Sequence, residues 1–259
     1  MNILLLGCGK MGGAMLRQWV RHDDHSFTVA DPAANDLPEG VSHVTKATSL
    51  PDRAFDVVLI AIKPQMIETV LPDYIHAMKD GGVYVSIAAG SSVASIGKVV
   101  GDVGIVRVMP NMAALVGMGV SGLYANDRCT AQQTDEIVKL IDQTGTCIPL
   151  KSEDEIDRLT AVSGSGPGYI FELLRNYVAA AEALGFDPDT ARRLVFDTIT
   201  GTVEAARQSE HTLEDLRNSV TSKNGTTQAG LEQFMRDGQL NGLFHDTLQA
   251  AYARAVELK

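Results

Sequence analysis

Two short glycine-containing segments of this 259-residue chain have the residue types that bind anionic groups through backbone N–H donors. One is GCGKMG at residues 7–12, near the start of the chain, and the other is TSKNGTT at residues 221–227. Each precedes an apolar helical run, and the N–H groups at a helix start attract phosphate or carboxylate. Two such segments in one chain predict two small-molecule ligands, a cofactor and a substrate.

The first segment has the surroundings of a dinucleotide-binding fingerprint, because it follows an apolar strand-like run and opens a helical one. Gly7 permits a tight turn, Gly9 lets N–H groups approach a pyrophosphate, and Gly12 lets the helix pack closely on the sheet. A plain tight turn is the alternative interpretation. The predicted cofactor-binding residues of this loop are Gly7, Gly9, Lys10, Met11 and Gly12.

An acidic residue, Asp31, ends the second strand-like run. A carboxylate there can accept hydrogen bonds from the ribose hydroxyls of a bound adenosine and would repel a 2′-phosphate. No Lys or Arg occurs between Asp31 and Lys46. The sequence therefore favours NADH over NADPH as the cofactor, and the alternative is that Asp31 only shapes a turn with Pro32.

Three further loops follow apolar runs at residues 61–64, 86–90 and 109–111. In open α/β sheets, ligands bind beyond the carboxyl ends of the strands, so these loops are expected to line the cofactor crevice. The third loop contains Asn111, a predicted substrate contact that offers both a donor and an acceptor. The predicted cofactor contacts in the first two loops are Ala61, Ile62, Lys63, Pro64, Ile87, Ala88 and Ala89.

The elements that must position these loops alternate between strand-like and helical patterns over the first 150 residues, which predicts a mostly parallel sheet. Beyond that point the strand signals vanish and Ala/Leu-rich helical patterns dominate. We predict an α/β fold class, with an N-terminal Rossmann-type domain in residues 1–152 followed by an all-helical domain in residues 153–259. The predicted strands lie at residues 3–6, 27–30, 57–62, 83–87, 105–108, 120–124 and 147–150.

Several local signals predict helix ends. Thr130 with Gln133 and Ser152 with Glu155 have the spacing of a capping box, and Asp187 followed by Pro188 is typical of a helix start. The acidic run at residues 153–155 would by default be a solvated cap, favoured by the helix dipole. In the last helix, one face carries Phe244, Leu248, Ala251, Tyr252 and Ala255, which fits either a core or a subunit contact.

Composition excludes several classes of function. The net charge of −10 disfavours nucleic acid and anionic lipid, and no apolar run is long enough to span a bilayer. The start of the chain predicts a strand rather than a signal peptide. Three scattered cysteines without ligand spacing predict neither disulfides nor a metal site, which favours a reducing cytoplasm. Ser165 lacks the flanking glycines of a nucleophile elbow, so serine hydrolysis is disfavoured.

The segments GCGKMG, AIKP, SIAAG, VRVMPN, SGSGPGY and TSKNGTT occur in the order and spacing of pyrroline-5-carboxylate reductases. The chain resembles this family over nearly its whole length. The resemblance implies hydride transfer from NAD(P)H to the C=N bond of 1-pyrroline-5-carboxylate, giving L-proline in the last step of proline biosynthesis. It also implies a homodimer, or a higher oligomer built from dimers, with interlocking helical domains.

The resemblance assigns further residues. It implies that backbone N–H groups of Gly225, Thr226 and Thr227 bind the substrate carboxylate, and that the Thr227 hydroxyl lies near the ring nitrogen. Catalytic roles are implied for Thr227 and for two residues similar to hydroxyl positions of the family's pocket, Thr160 and Ser165. The remaining matches are Glu210 near the substrate, and Glu153 and Ser219 near the cofactor.

The chain departs from the family at Asn224, which replaces the first glycine of the carboxylate loop, at Ser219, where a cofactor-contacting Asn is common, and at Asp31. Asn tolerates positive φ better than most residues, so the loop is expected to form. Two rival functions remain at this stage. One is a β-hydroxyacid dehydrogenase, although residues 169–184 lack the expected lysine, and the other is a non-catalytic NAD(H)-sensing module.

Overall fold

The structure is a computed structural model of the chain, and it describes residues 1–22 and 25–258. The contacts within the chain divide it into two compact units. One consists of Met1–Pro167 together with Ala251–Lys259, and the other of Gly168–Ala250. The predicted domain limits at residues 152 and 153 stay a prediction, and Lys259, where the second predicted domain ends, lies outside the described residues.

The first unit contains an eight-stranded sheet in the order β3-β2-β1-β4-β5-β6-β7-β8. All neighbouring pairs are parallel except β6 with β7, so the predicted mostly parallel sheet is confirmed. The sequence analysis missed β3 because it is a short edge strand without an apolar run. The strands are β1 Asn2–Leu6, β2 Ser26–Ala30, β3 Ser42–Val44, β4 Phe55–Ile60, β5 Met78–Ser86, β6 Gly104–Met109, β7 Gly119–Ala125 and β8 Gly145–Pro149.

Both faces of this sheet are covered by helices, which explains why central strands such as β1 and β4 contain continuous apolar runs. In β1, Ile3 and Leu5 belong to one buried cluster, whereas Leu4 and Leu6 belong to another. Trp19 is buried in the first cluster and donates its indole N–H to the carbonyl oxygen of Leu140, 2.7 Å away. The sheet is therefore held from both sides, and its strand ends are fixed in position.

The other regular elements of the described chain are helices, short 3₁₀ turns and a π-helical turn. The predicted all-helical second half is confirmed, because the chain contains no strand among the described residues after β8. The helices are α1 Lys10–Trp19, α2 Ile67–Val70, α3 Val93–Val100, α4 Ala131–Asp142, α5 Glu153–Leu159, α6 Gly166–Ala183, α7 Pro188–Gln208, α8 Leu213–Ser219, α9 Thr226–Phe234 and α10 Gln239–Glu257.

The predicted helix ends are confirmed with one exception. Thr130 and Gln133 form a complete capping box at α4, and Asp187 caps α7 by accepting from the backbone N–H of Thr190. At α5 the Ser152 hydroxyl accepts from the Glu155 N–H, but the Glu155 carboxylate accepts from the N–H of Lys151 at 2.7 Å. The second half of that predicted box was wrong, because the Glu155 side chain reaches one residue further back.

The glycine-rich segment at residues 163–169 is helical rather than an irregular loop. Residues Thr160–Gly164 form a π-helical turn, closed by a 2.8 Å hydrogen bond from the Ser165 N–H to the carbonyl oxygen of Thr160. Helix α6 then begins at Gly166. Single π turns are frequent at functional sites, and this one carries Thr160 and ends at Ser165, the two predicted pocket hydroxyl residues.

Within the described residues, no helix combines the length and the apolar character needed to cross a bilayer. In that same part of the chain, no group of three or more histidine, cysteine or acidic side chains is arranged to hold a metal ion.

Candidate active site

The loops predicted to bind the cofactor lie side by side at the carboxyl edge of the sheet. Sheet hydrogen bonding continues one residue past the strand ends, where Gly7 donates to Ala30 at 3.0 Å and Ala61 donates to Leu6 at 2.8 Å. Ile87 likewise donates to the carbonyl oxygen of Ile60, 3.0 Å away. The glycine loop and the loops after β4 and β5 are thus brought together, as predicted from the sheet topology.

The three glycines of the first loop meet different surroundings. Gly7 has a φ of +90°, and a Cβ there would lie 3.0 Å from the carbonyl oxygen of Ala61. A Cβ at Gly12 would lie 2.9 Å from the Ala61 Cβ, so α1 can approach the sheet only without a side chain at this position. A Cβ at Gly9 would meet no atom within 4 Å. The space above Gly9, at the start of α1, fits a pyrophosphate, with Lys10 and Met11 in the first helical turn.

Asp31 connects the end of β2 to the glycine loop through its carboxylate. One carboxylate oxygen accepts from the Cys8 N–H at 2.7 Å, and the other accepts from the Ala33 N–H at 2.8 Å. The two alternatives from the sequence are therefore not exclusive, because the carboxylate shapes the turn after β2 and also ties it to the loop. Each carboxylate oxygen keeps acceptor capacity for a ribose hydroxyl.

The two loops beyond β4 and β5 differ in exposure. Lys63 is exposed and precedes the 3₁₀ turn Pro64–Met66, whereas Ala61 and Ile62 are half-buried. In the second loop, Ile87 and Ala88 are buried and Ala89 is exposed. Ile87, Ala88 and Ala89 are small or apolar and follow β5 at the sheet edge, and their contact with a nicotinamide ring stays a prediction.

Asn111 has a structural role that the sequence did not predict. Its side-chain oxygen accepts from the N–H groups of Ala113 at 3.2 Å and Val120 at 3.1 Å. Its amide nitrogen donates to the backbone oxygen of Ser163 at 3.3 Å and to the Ser163 hydroxyl at 3.1 Å. The amide thus joins the end of β6 to β7 and to the π turn, and its assignment as a substrate contact stays a prediction.

The π turn leaves the Thr160 hydroxyl oriented in a defined way. Thr160 donates its hydroxyl hydrogen to the carbonyl oxygen of Ile156 at 2.7 Å, so the hydroxyl oxygen remains an acceptor. An acceptor at this position suits the N–H of a protonated imine. Ser165 stays a prediction as a pocket residue.

A buried ionic cluster, which the sequence analysis did not single out, lies beside the loop after β5. Arg107 in β6 is 3% exposed and contacts Glu153 at 3.1 Å and Asp157 at 3.5 Å. Glu153 also accepts from the N–H of Val93, the first residue of α3, at 3.0 Å. The default interpretation of Glu153 as a solvated cap was therefore wrong. An arginine inside the apolar run VRVM was the signal in the sequence.

In the second unit, the predicted carboxylate-binding loop forms the start of α9. Gly225 is the N-cap residue, and Thr226 and Thr227 are the first two residues of the helix. A Cβ at Gly225 would collide with the Ser222 side chain. Because the N-cap has no side chain, it leaves the N–H groups of Thr226 and Thr227 for a ligand. The predicted donor at Gly225 differs, because its N–H donates to the carbonyl oxygen of Ser222 at 3.0 Å.

Asn224 adopts the left-handed conformation that the sequence analysis expected of it, with a φ of +57°. Its N–H donates to the side-chain oxygen of Gln228 at 2.8 Å. Glu210 is exposed between α7 and α8, and Ser219, the last residue of α8, donates its hydroxyl to the carbonyl oxygen of Leu216 at 2.7 Å. The binding roles of Glu210 and Ser219 stay predictions.

Cys8 lies within the glycine loop. Burial raises the pKa of its thiol, and the negative charge of Asp31 raises that pKa further. Both effects disfavour the thiolate, which is the reactive form of a cysteine.

Comparison with known proteins gives consistent matches over the chain. Residues 153–258 match the family model described as pyrroline-5-carboxylate reductase dimerisation, and residues 2–90 match NADP oxidoreductase coenzyme F420-dependent. A pyrroline-5-carboxylate reductase of Pseudomonas aeruginosa is 41% identical over 204 residues, covering 78% of this chain and 74% of that protein.

Solved structures agree with these matches. A pyrroline-5-carboxylate reductase from Coxiella burnetii has a TM-score of 0.91 at 31% identity, covering 100% of this chain and 98% of that one. A Plasmodium falciparum pyrroline carboxylate reductase with NADP bound has a TM-score of 0.87 at 22% identity, a likeness of fold, covering 100% and 98% of the two chains. On the identity shared with the Pseudomonas protein, this chain belongs to the pyrroline-5-carboxylate reductase family.

Proposed function

We propose that this protein reduces the C=N bond of 1-pyrroline-5-carboxylate to give L-proline, with NAD(P)H as the hydride donor. The observation that carries the proposal is the 41% identity with a pyrroline-5-carboxylate reductase over 78% of the chain. The glycine loop at the sheet edge supports it, because the open space above Gly9 and the start of α1 suit a dinucleotide.

The substrate carboxylate is held at the start of α9, by the N–H groups of Thr226 and Thr227 beside Gly225. The partial positive charge of a helix N-terminus favours a carboxylate, and the glycine N-cap places no side chain over these two donors. The Gly225 N–H itself donates to the carbonyl oxygen of Ser222 at 3.0 Å, so its predicted part in binding is the weaker one. The Thr227 hydroxyl then orients the ring nitrogen of the imine. Glu210 is assigned to the same substrate site through the family.

The main task of the protein in this reaction is to orient the imine and the hydride donor. A protonated imine is already electrophilic, and NAD(P)H when bound supplies the hydride. The chain's own groups need only orient the reactants, and the wall formed by Ile87, Ala88 and Ala89 is assigned to the nicotinamide ring. Thr160 and Ser165 contribute hydroxyl groups, and the acceptor oxygen of Thr160 suits the N–H that is retained in the product.

We assign NADH as the preferred cofactor on the basis of Asp31. Its carboxylate would repel a 2′-phosphate, and no Lys or Arg follows before Lys46. The remaining cofactor contacts are assigned to the glycine loop, residues 61–64, the loop after β5 and Ser219.

The working form of the enzyme is a homodimer or a larger oligomer built from dimers, in the cytoplasm. The match of residues 153–258 to a dimerisation model supports the assembly. Three cysteines without disulfides support a reducing compartment.

Replacement of Thr227 tests the substrate site. Thr227→Ala removes the hydroxyl that orients the imine, so kcat/KM for pyrroline-5-carboxylate should fall by about 100-fold, whereas the cofactor Kd should change by less than about threefold. Steady-state kinetics and titration of reduced nicotinamide fluorescence measure the two quantities. Thr202→Ala, at an exposed position of α7, is the matched control. Equal losses in both quantities would contradict the substrate role.

A further inference from the structure

The loop between β5 and α3, residues 87–92, has a buried ion pair beside its start and bonded to the residue after its end. At its start, the parallel register places Arg107 of β6 opposite Ser86, the last residue of β5. At its end, Glu153 accepts from the N–H of Val93 through the oxygen that also contacts the Arg107 guanidinium. One carboxylate oxygen therefore serves the helix start and the strand together.

The side chains of this ion pair and of Asp157 are mostly or fully buried, unlike those of a surface salt bridge. The Arg107 side chain is 4% exposed, that of Glu153 is 24% exposed, and that of Asp157 is 1% exposed. A buried arginine between two carboxylates fixes the direction of each contact as well as its distance, because the planar guanidinium donates its hydrogen bonds only within its own plane. Hydrophobic contacts of the same volume would allow the loop to slide.

Hydrogen bonds within loop 87–92 connect its residues to one another, so a displacement at one end would move the others. Ser86 accepts from the N–H of Ala88 at 3.2 Å, and Ser91 donates its N–H to the carbonyl oxygen of Ala88 at 3.3 Å. The Ser92 hydroxyl caps α3 by accepting from the Ser95 N–H at 3.0 Å. Both ends of loop 87–92 are thus hydrogen-bonded. A shift of Val93 would therefore move the residues assigned to the nicotinamide wall.

We propose that Arg107 and Glu153 are positioning residues for the hydride-transfer reaction, which hold loop 87–92 and through it the nicotinamide ring. This inference rests on the proposed function. It changes the role of Glu153, which acts through the Val93 N–H and the start of α3 instead of contacting the cofactor. Arg107 gains a role that its sequence position alone did not indicate.

The test compares Glu153→Gln and Arg107→Lys with Asn126→Ala. Glu153→Gln keeps the shape but weakens both hydrogen bonds, because it loses the charge. Arg107→Lys keeps the charge but loses the fork. Asn126 bonds the N–H of Ile105 and the carbonyl oxygen of Val103 at the opposite end of β6, so its loss destabilises the same strand away from the cofactor edge.

For Glu153→Gln we expect kcat to fall by about 10- to 100-fold, with a change of less than about threefold in KM for the imine. The amide hydrogen of Val93 should exchange about fivefold faster, a readout that does not depend on activity. Arg107→Lys should retain more activity than Arg107→Met. Asn126→Ala should lower Tm without lowering kcat.

If the unmodified protein is active and Glu153→Gln has the same kcat, this inference is overturned and the proposed function is not. A loss of kcat in Asn126→Ala that matches its loss in Glu153→Gln at equal Tm would also overturn it, because the effect would then be general destabilisation. An unmodified protein that does not turn over would overturn the proposed function and this inference with it.

Discussion

Asp31 has an observed structural role and a predicted role in cofactor binding, and we expect a substitution there to affect both. Its carboxylate accepts hydrogen bonds from the N–H groups of Cys8 and Ala33 at the end of β2. The sequence predicted the ligand role from the position of an acid at the end of β2. It could not predict the bond to Cys8, because that depends on how closely two chain segments approach.

Asp31→Ser should raise the ratio of NADPH to NADH efficiency by about tenfold or more. The reason is that the Asp31 carboxylate and a 2′-phosphate carry like charges. At about 4 Å such charges repel by about 1 kcal/mol in bulk water and by about 4 kcal/mol near a protein surface. The same variant should have a lower Tm, since one serine oxygen cannot accept from both N–H groups. Steady-state kinetics with each cofactor and a thermal scan measure these effects.

Glu39→Ser is the matched control, because it removes an exposed acid from the same connection between β2 and β3. It should change neither the ratio nor the Tm. A lower Tm with an unchanged cofactor ratio in Asp31→Ser would show that Asp31 acts only on the glycine loop.

At the scale of elements, the end of α10 and Leu258, which follows it, belong to the sheet-containing unit, and Leu258 lies close to the predicted cofactor loop. The Tyr252 hydroxyl of α10 donates to Asp154 of α5 at 2.6 Å. A Cβ at Gly90 would lie 2.8 Å from the carbonyl oxygen of Leu258. The chain end therefore packs against the residue that follows the nicotinamide wall.

Gly90→Ala and Gly81→Ala separate this contact from backbone strain. The two glycines have φ values of +78° and +75°, but a Cβ at Gly81 would meet no atom within 4 Å. Both variants should lose about 1–2 kcal/mol from the left-handed backbone. Gly90→Ala should lose more stability and also raise KM for the cofactor, as thermal scans and kinetics would reveal. Equal losses of stability with unchanged KM in both variants would contradict the account.

The elements that the sequence predicted well are those whose signal is local. Buried parallel strands are apolar along their whole length, and the Thr130 and Asp187 caps depend on residues three apart. The elements it missed depend on distant partners. The sequence analysis did not predict the π turn at Thr160–Gly164. The role of Arg107 depends on carboxylates of α5 that only the fold brings close to it.

At the scale of the whole molecule, the second unit has few buried apolar residues of its own. Its buried cluster consists of Ala181, Ala191 and Val195, packed with Leu174, Val178 and Ile199. Many of its large apolar side chains are exposed, and a contiguous apolar surface marks an interaction site. The exposed ones include Ile170, Phe171, Tyr177, Leu194, Val203, Phe234, Met235, Leu243 and Phe244.

We expect the protein to have a solution mass that is an even multiple of its 27.7 kDa chain mass. Its Tm should rise with protein concentration, because association stabilises the folded chain by mass action. Light scattering coupled to size-exclusion chromatography, and thermal scans over a hundredfold range of about micromolar concentrations, measure both. A 27.7 kDa species with a constant Tm would contradict the dimer.

The central claim is that this chain reduces 1-pyrroline-5-carboxylate. The most direct measurement is the oxidation of NADH and of NADPH by the purified protein, with and without that imine, together with quantification of proline. The account predicts one proline formed for each reduced nicotinamide oxidised, only when the imine is present, and with NADH preferred. Absence of imine-dependent oxidation with both cofactors would contradict it.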